Sequence, residues 1–172
     1  GLIFTISFVA VGLTVITSAQ TTASIKTDLG VYPEPPPPAL PGAGGKFVDP
    51  TFGTQILRVT DSGNSGANAG TSYSYWPTFN SNNTRIVVED EGSPTGISIF
   101  DFDPVSFVLG AKQPNLPLLN GTYPIGFGTD VIWSHNNPDL LYGHSGARFY
   151  SFNCVTRTYT LLFDLTSQLP AG

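Results

Sequence analysis

The chain has 172 residues, enough for one ordinary domain with a real core. Only 11% are charged, while Gly (19), Pro (15) and aromatics (12%) are plentiful, which suits short strands and tight turns rather than helices. The net charge of −5, with seven Lys and Arg scattered singly, argues against a nucleic-acid surface.

Residues 2–16 form an apolar run broken only by Thr5, Ser7, Gly12 and Thr14. Thr17-Ser18-Ala19 follows, with small residues placed for cleavage before Gln20. This is the apolar segment and cleavage site of a secretory signal peptide over 1–19, whose basic start is expected upstream because the chain contains no Met. A membrane anchor is the competing reading, but the run is shorter than the about 20 apolar residues that span a bilayer. A lipid anchor would need Cys where Gln20 stands. The expected address is secreted, periplasmic or cell-surface, with no membrane contact beyond the leader. Residues 20–45 then carry Pro33, Pro35-Pro36-Pro37-Pro38 and Pro41, followed by Gly42, Gly44 and Gly45. Consecutive prolines favour an extended polyproline rod, so this stretch reads as a semi-rigid spacer. The alternative is a ligand for a proline-binding domain.

From Lys46 onward the pattern is strand and turn. Strands are expected at 47–48 and 55–60, around the turn Asp49-Pro50-Thr51-Phe52-Gly53-Thr54. There Asp can bond the backbone two residues on, Pro presets φ, and Gly accepts positive φ. GNSGANAG at 63–70 reads as a loop. Four strands follow at 73–79, 85–89, 97–102 and 105–109, then a long loop at 111–129. Four more are expected at 131–133, 140–143, 148–153 and 158–163. No stretch sustains helical periodicity.

The segment FNSNNTRIVVEDEGSPTGISIFDFDPVSFVL at 79–109 recurs in altered form at 133–162, 54 residues later. Asn82-Asn83 falls on Asn136-Asn137, and Ile86-Val87-Val88 on Leu140-Leu141-Tyr142. Val48-Asp49-Pro50 matches Phe102-Asp103-Pro104 as a third, partial copy. A repeat of about 40–55 residues holding four strands is the unit of a β-propeller blade. The expected fold is therefore all-β. It is a partial β-propeller of about two and a half four-stranded antiparallel blades within 46–172. The partial blade is 46–61, and the two whole blades are 73–110 and 130–164. Missing C-terminal blades of the same chain are expected to close the ring.

The run WPTFNSNNTRIVVED followed by GISIFDFD resembles the Tol-system type of propeller repeat, above all in uncharacterised secreted bacterial proteins. Where that repeat usually has a Pro-Asp-Gly turn, this chain has Asn82-Asn83 and Asn136-Asn137-Pro138-Asp139. Asn tolerates the left-handed backbone such a turn needs. The resemblance implies an exported propeller and carries over no catalytic residue.

In such propellers, loops 61–72, 90–96, 110–129 and 143–147 would share one face. Turns 80–84 and 134–139 and the Asp-Pro hairpins would share the other. Long loops on one face are the arrangement expected when that face binds. The candidate binding residues are Tyr73, Asp90, Glu91, Tyr123, Asp130, His144 and Arg148, with Tyr75 beside them. Tyrosines, carboxylates and one His suit sugars, through ring stacking and hydroxyl bonding, and the same set could hold a metal or an acid/base pair. Plainer readings compete: a solvated turn for Asp90-Glu91, packing between blades for Tyr73 and Tyr75, a tight turn for His144-Ser145-Gly146. Trp76 and Trp133 read as core between blades.

No catalytic residue, metal site or cofactor is expected. His135 and His144 fall on opposite faces, Cys154 is the lone cysteine, and GNSGANAG lacks the Lys and helix of a phosphate loop. Asn82-Asn83-Thr84 and Asn120-Gly121-Thr122 match the glycosylation acceptor pattern. The expected function is an exported, non-catalytic binding or scaffolding module for a polysaccharide or another envelope or extracellular protein. The alternative is a carbohydrate-active lyase or hydrolase whose central-channel site is completed by the missing blades.

Overall fold

A computed structural model of the chain describes residues 27–31, 36–50, 52–66, 68–71, 76–125 and 131–168. The expected leader at 1–19, Tyr73, Tyr75 and Asp130 lie outside the described residues. The described residues are all-β, with no helix.

Among the described residues, ten strands form three antiparallel sheets. β1 (Lys46–Val48) and β2 (Gln55–Leu57) make a hairpin. Its turn is held by Asp49, whose side chain accepts from the Phe52 N–H and whose carbonyl accepts from the Gly53 N–H, with Gly53 at φ 70°. The second sheet runs in chain order through β3 (Ala69–Gly70), β4 (Arg85–Asp90), β5 (Ile97–Asp103) and β6 (Val108–Lys112). The third does the same through β7 (Ile132–Trp133), β8 (Leu140–Ser145), β9 (Arg148–Asn153) and β10 (Thr158–Asp164).

Three expected elements differ. The strand expected at 55–60 ends at Leu57. The strand placed at 105–109 begins only at Val108, because residues 103–107 make a turn. The Asp103 carboxylate accepts from the N–H groups of Val105 and Ser106, and Phe107 sits at φ 53°. The β9–β10 turn is built alike: Asn153 accepts from the N–H groups of Val155 and Thr156, and Arg157 sits at φ 56°. The first strand of the second sheet is Ala69–Gly70, in the stretch read as a loop. Ala69 pairs with Asp90, and the Glu91 N–H donates to the Asn68 carbonyl at 3.3 Å. Of the strand expected at 73–79, the described part contributes an isolated bridge from Phe79 to Ile86.

Strand alternation sends the second sheet's apolar residues to both sides, so it is covered on both. Ile86, Val88, Phe100 and Phe102 pack with Leu57 and Val59, which continue from the β1–β2 hairpin. Val87, Ile97 and Ile99 pack on the other side, against Trp133, Leu141 and Phe152 of the third sheet, with Leu116 and Ile125 from the β6–β7 connection. The sheets thus stack face to face in chain order. Polar links fix the second interface at its edge. Asn80 Nδ2 and Arg85 Nη1 both donate to the Pro138 carbonyl, at 2.9 and 3.1 Å, and Arg85 Nη1 lies 2.7 Å from Asp139 Oδ1. Among the described residues, no further sheet covers the far side of the third sheet, where Phe149 is 40% and Phe163 63% exposed.

Candidate functional site

The loop end of the second sheet is organised by a buried carboxylate. Asp90 ends β4 on the side of Ile86 and Val88, and its side chain is fully buried. One oxygen accepts from the N–H groups of Gly66 (2.7 Å) and Gly92 (3.0 Å). The other accepts from the Ser98 hydroxyl (2.7 Å) and Lys112 Nζ (3.0 Å). Burial pushes the Asp90 carboxyl up, but the Ser98 hydroxyl, Gly66 N–H, Lys112 and Gly92 N–H together outweigh it and hold it down at about 2. Lys112 also donates to the Asn64 carbonyl at 2.8 Å, so one ammonium joins loop 61–66 to the carboxylate.

Four donors can converge there because two glycines touch back to back. A Cβ on Gly92 would lie 2.6 Å from the Gly66 nitrogen, and one on Gly66 only 2.3 Å from the Gly92 nitrogen. Gly92→Ala is therefore expected to cost about 1–3 kcal/mol by forcing the backbones apart. Gly70→Ala, with nothing within 4 Å of its new methyl, should cost less. Urea unfolding of the two variants makes the comparison.

Beyond this clamp, loop 61–66 is shaped by Asp61. Its carboxylate accepts from the N–H groups of Ala43 (2.7 Å) and Gly63 (2.8 Å), which hold its pKa below the ordinary value. Its carbonyl accepts from the Ser65 N–H and hydroxyl. A polar cavity of about 210 Å³ opens here, lined by Arg58, Thr60, Asp61, Ser62, Ser65 and Ala69 among others. Glu91, exposed at the β4–β5 turn, accepts from Asn68 Nδ2 at 2.8 Å on the same loop.

The other expected site residues sit elsewhere. His144 stacks on Phe149 with ring centres 5.4 Å apart, and its Nδ1 lies 3.2 Å from the Gly146 carbonyl oxygen. Arg148 pairs with Asp164 at 2.9 Å. Tyr123 is half-buried in the β6–β7 connection. The structure joins Asp90 to Gly66 and Glu91 to Asn68, while the hydrogen bonds described for His144 and Arg148 stay within the third sheet and its turns. Lys112, Ser98 and the glycine pair were not singled out from sequence.

On the open side of the third sheet lies an apolar cavity of about 420 Å³, lined by Trp76, Ile132, Tyr142, His144, Phe149 and Phe163 among others. Cys154 is buried, and burial pushes its thiol up to about 11, which favours the neutral form. Among the described residues, no group of three or more His, Cys, Asp or Glu is placed to hold a metal. No family model, curated protein or solved structure matches the chain.

Proposed function

We propose that the chain is an exported, non-catalytic β-propeller module that binds an extracellular carbohydrate at its loop end. The observation that carries this reading is the polar cavity beside Arg58, Asp61 and Ser65, whose walls the Asp90 clamp fixes in advance. Side-chain hydroxyls, a guanidinium and a carboxylate around a small polar hollow match the donor and acceptor pattern of sugar hydroxyls. Pre-organised walls lower the ordering cost of binding.

The propeller part of the proposal is supported by the stacking. Two four-stranded meanders and a hairpin lie face to face in chain order, and the last sheet offers an apolar side. In this reading they are successive blades of a Tol-like repeat, and further blades of the same protein cover that side. Residues 1–19 act as the leader that delivers the module to the periplasm, cell surface or medium. A protein ligand is the second reading, favoured by the aromatic cavity at Tyr142 and Phe149.

The test is affinity retardation of the protein on a panel of soluble polysaccharides, with assay of released ends. Retention by at least one polysaccharide is expected, weakened by Ser62→Trp, which fills the polar cavity, and unaffected by Phe149→Ala. New reducing or unsaturated ends would reverse the reading in favour of a lyase or hydrolase. Retention lost on Phe149→Ala alone would move the site to the third sheet.

A further inference from the structure

The connection between β6 and β7 carries the chain's single Asn-Gly pair, Asn120-Gly121. Leu119 and Thr122 exchange backbone hydrogen bonds across it, at 2.8 and 3.1 Å. Asn120 sits at φ 52° and Gly121 at φ 81°, so both central residues of this two-residue loop are left-handed. That is the type I′ geometry Asn-Gly fills best. Both residues are exposed. The two bonds of the turn run from the Leu119 and Thr122 N–H groups, which leaves the Gly121 N–H outside them. A Cβ on Gly121 would meet nothing within 4 Å, so no neighbour crowds this side of the turn.

We propose that Asn120 is a site of spontaneous backbone modification in the folded protein. The Gly121 nitrogen gives its proton to solvent base and attacks the Asn120 side-chain carbonyl carbon. A new N–Cγ bond closes a five-membered succinimide. The Cγ–Nδ2 bond breaks, and the amide nitrogen takes up a proton and leaves as ammonia. Water then opens the ring. Attack at one carbonyl gives Asp, and attack at the other gives isoaspartate, in which the main chain runs through the former side-chain carbon. No enzyme, metal or oxidant is needed.

Asn120 is the only asparagine followed by glycine, and three others show what protects an amide in this fold. Asn64 has both ends of its amide held, by the Asp61 N–H at 2.9 Å and the Val59 carbonyl at 3.0 Å. Asn82 accepts from the Thr84 hydroxyl at 2.6 Å, and its attacking neighbour would be Asn83, which carries a side chain. Asn137 is followed by Pro138, which has no N–H to lose. The change would matter to the stack, because the turn joins Leu116 and Ile125, 4% and 0% exposed in the core between the second and third sheets. Isoaspartate lengthens the main chain inside a turn that closes on two residues, so the Leu119–Thr122 bonds cannot both persist.

The test is incubation of the folded, unglycosylated chain in mildly alkaline buffer, followed by fragment-ion mass spectrometry and enzymatic methyl labelling of isoaspartate. Asn120 is expected to gain the mass of an amide-to-acid exchange and the label at least an order of magnitude faster than Asn64, Asn82 or Asn137. Asn120→Gly, which accepts the same left-handed backbone, should remove the label while leaving the melting temperature nearly unchanged. The same incubation in denaturant should bring Asn64 and Asn82 closer to the rate at Asn120. An Asn120 that keeps its amide in the folded chain, or converts only when unfolded, overturns the proposal.

Discussion

Replacing Asp90 with Ala is expected to destabilise the fold by about 3 kcal/mol. The carboxylate is fully buried and accepts from four donors, the N–H groups of Gly66 and Gly92, the Ser98 hydroxyl and Lys112 Nζ. Removing it leaves those donors facing a dry space, and each orphaned group costs about 1–3 kcal/mol unless water enters. The Lys112 side chain is 32% exposed and can turn to solvent, which places the loss at the lower end of the range for broken buried pairs. Asp90→Asn keeps the size but offers an NH₂ to sites that need an acceptor, so it should recover only part of the loss. The pH dependence has a definite sign. Because the folded pKa is lowered from 3.8 to about 2, the contribution is complete above the unfolded value and is lost as pH falls through the folded one. Wild-type stability should therefore drop between about pH 4 and about pH 2, and Asp90→Asn should show a shallower acid limb. It will not be flat, because Asp61, Asp103 and Asp164 are also held low by hydrogen bonds in the fold. Urea titrations at neutral and acid pH, run on both proteins, read these differences directly.

Much of the sheet structure was legible because apolar alternation is a local property. RIVVED and ISIFDFD, then LLYGHS and RFYSFN, are strands at nearly the expected bounds, since nothing distant competes with a period of two. The displaced β6 shows where that reasoning ends. Val105 looks like a strand residue, but an Asp two positions earlier can fold its side chain onto the following N–H groups and hold a turn. The site was less legible. Asp90 and Glu91 read as a neighbouring pair, yet strand alternation already separates them: Asp90 shares a side with the buried Ile86 and Val88. That periodicity was available in the sequence. Its completion was not, because the burying partners Gly66 and Lys112 come from 24 and 22 residues away. The same alternation parts His144 from Arg148. His144 pairs with Phe149 and Arg148 with Ser145, so their side chains leave opposite sides of the third sheet.

The largest apolar effect is expected at the interface between the second and third sheets. Trp133→Ala should lower stability by about 3–5 kcal/mol, the range for emptying a well-packed aromatic site. Trp133 is 2% exposed and packs in one cluster with Val87, Ile97 and Ile99 from the facing sheet. Its Nε1 donates to the Thr78 carbonyl at 3.1 Å, a second tie across the same boundary. Trp133→Phe isolates that tie. The Thr78 carbonyl still accepts from the Val87 N–H at 3.0 Å, so no acceptor is orphaned, and the loss should be about 1–2 kcal/mol, mostly ring volume. Phe163→Ala, on the open side of the third sheet and 63% exposed, should change stability by less than about 0.5 kcal/mol. The shape of the urea transition separates two accounts of the stack. If the sheets fold as one unit, Trp133→Ala shifts the midpoint and leaves the slope unchanged. If each four-stranded sheet holds alone, weakening their contact should split the transition in two, with the third sheet melting apart from the second. The first result is expected, because Leu116 and Ile125 from the connecting segment fill the same core that Trp133 fills. The core between their facing sides is one that neither sheet can close without the other.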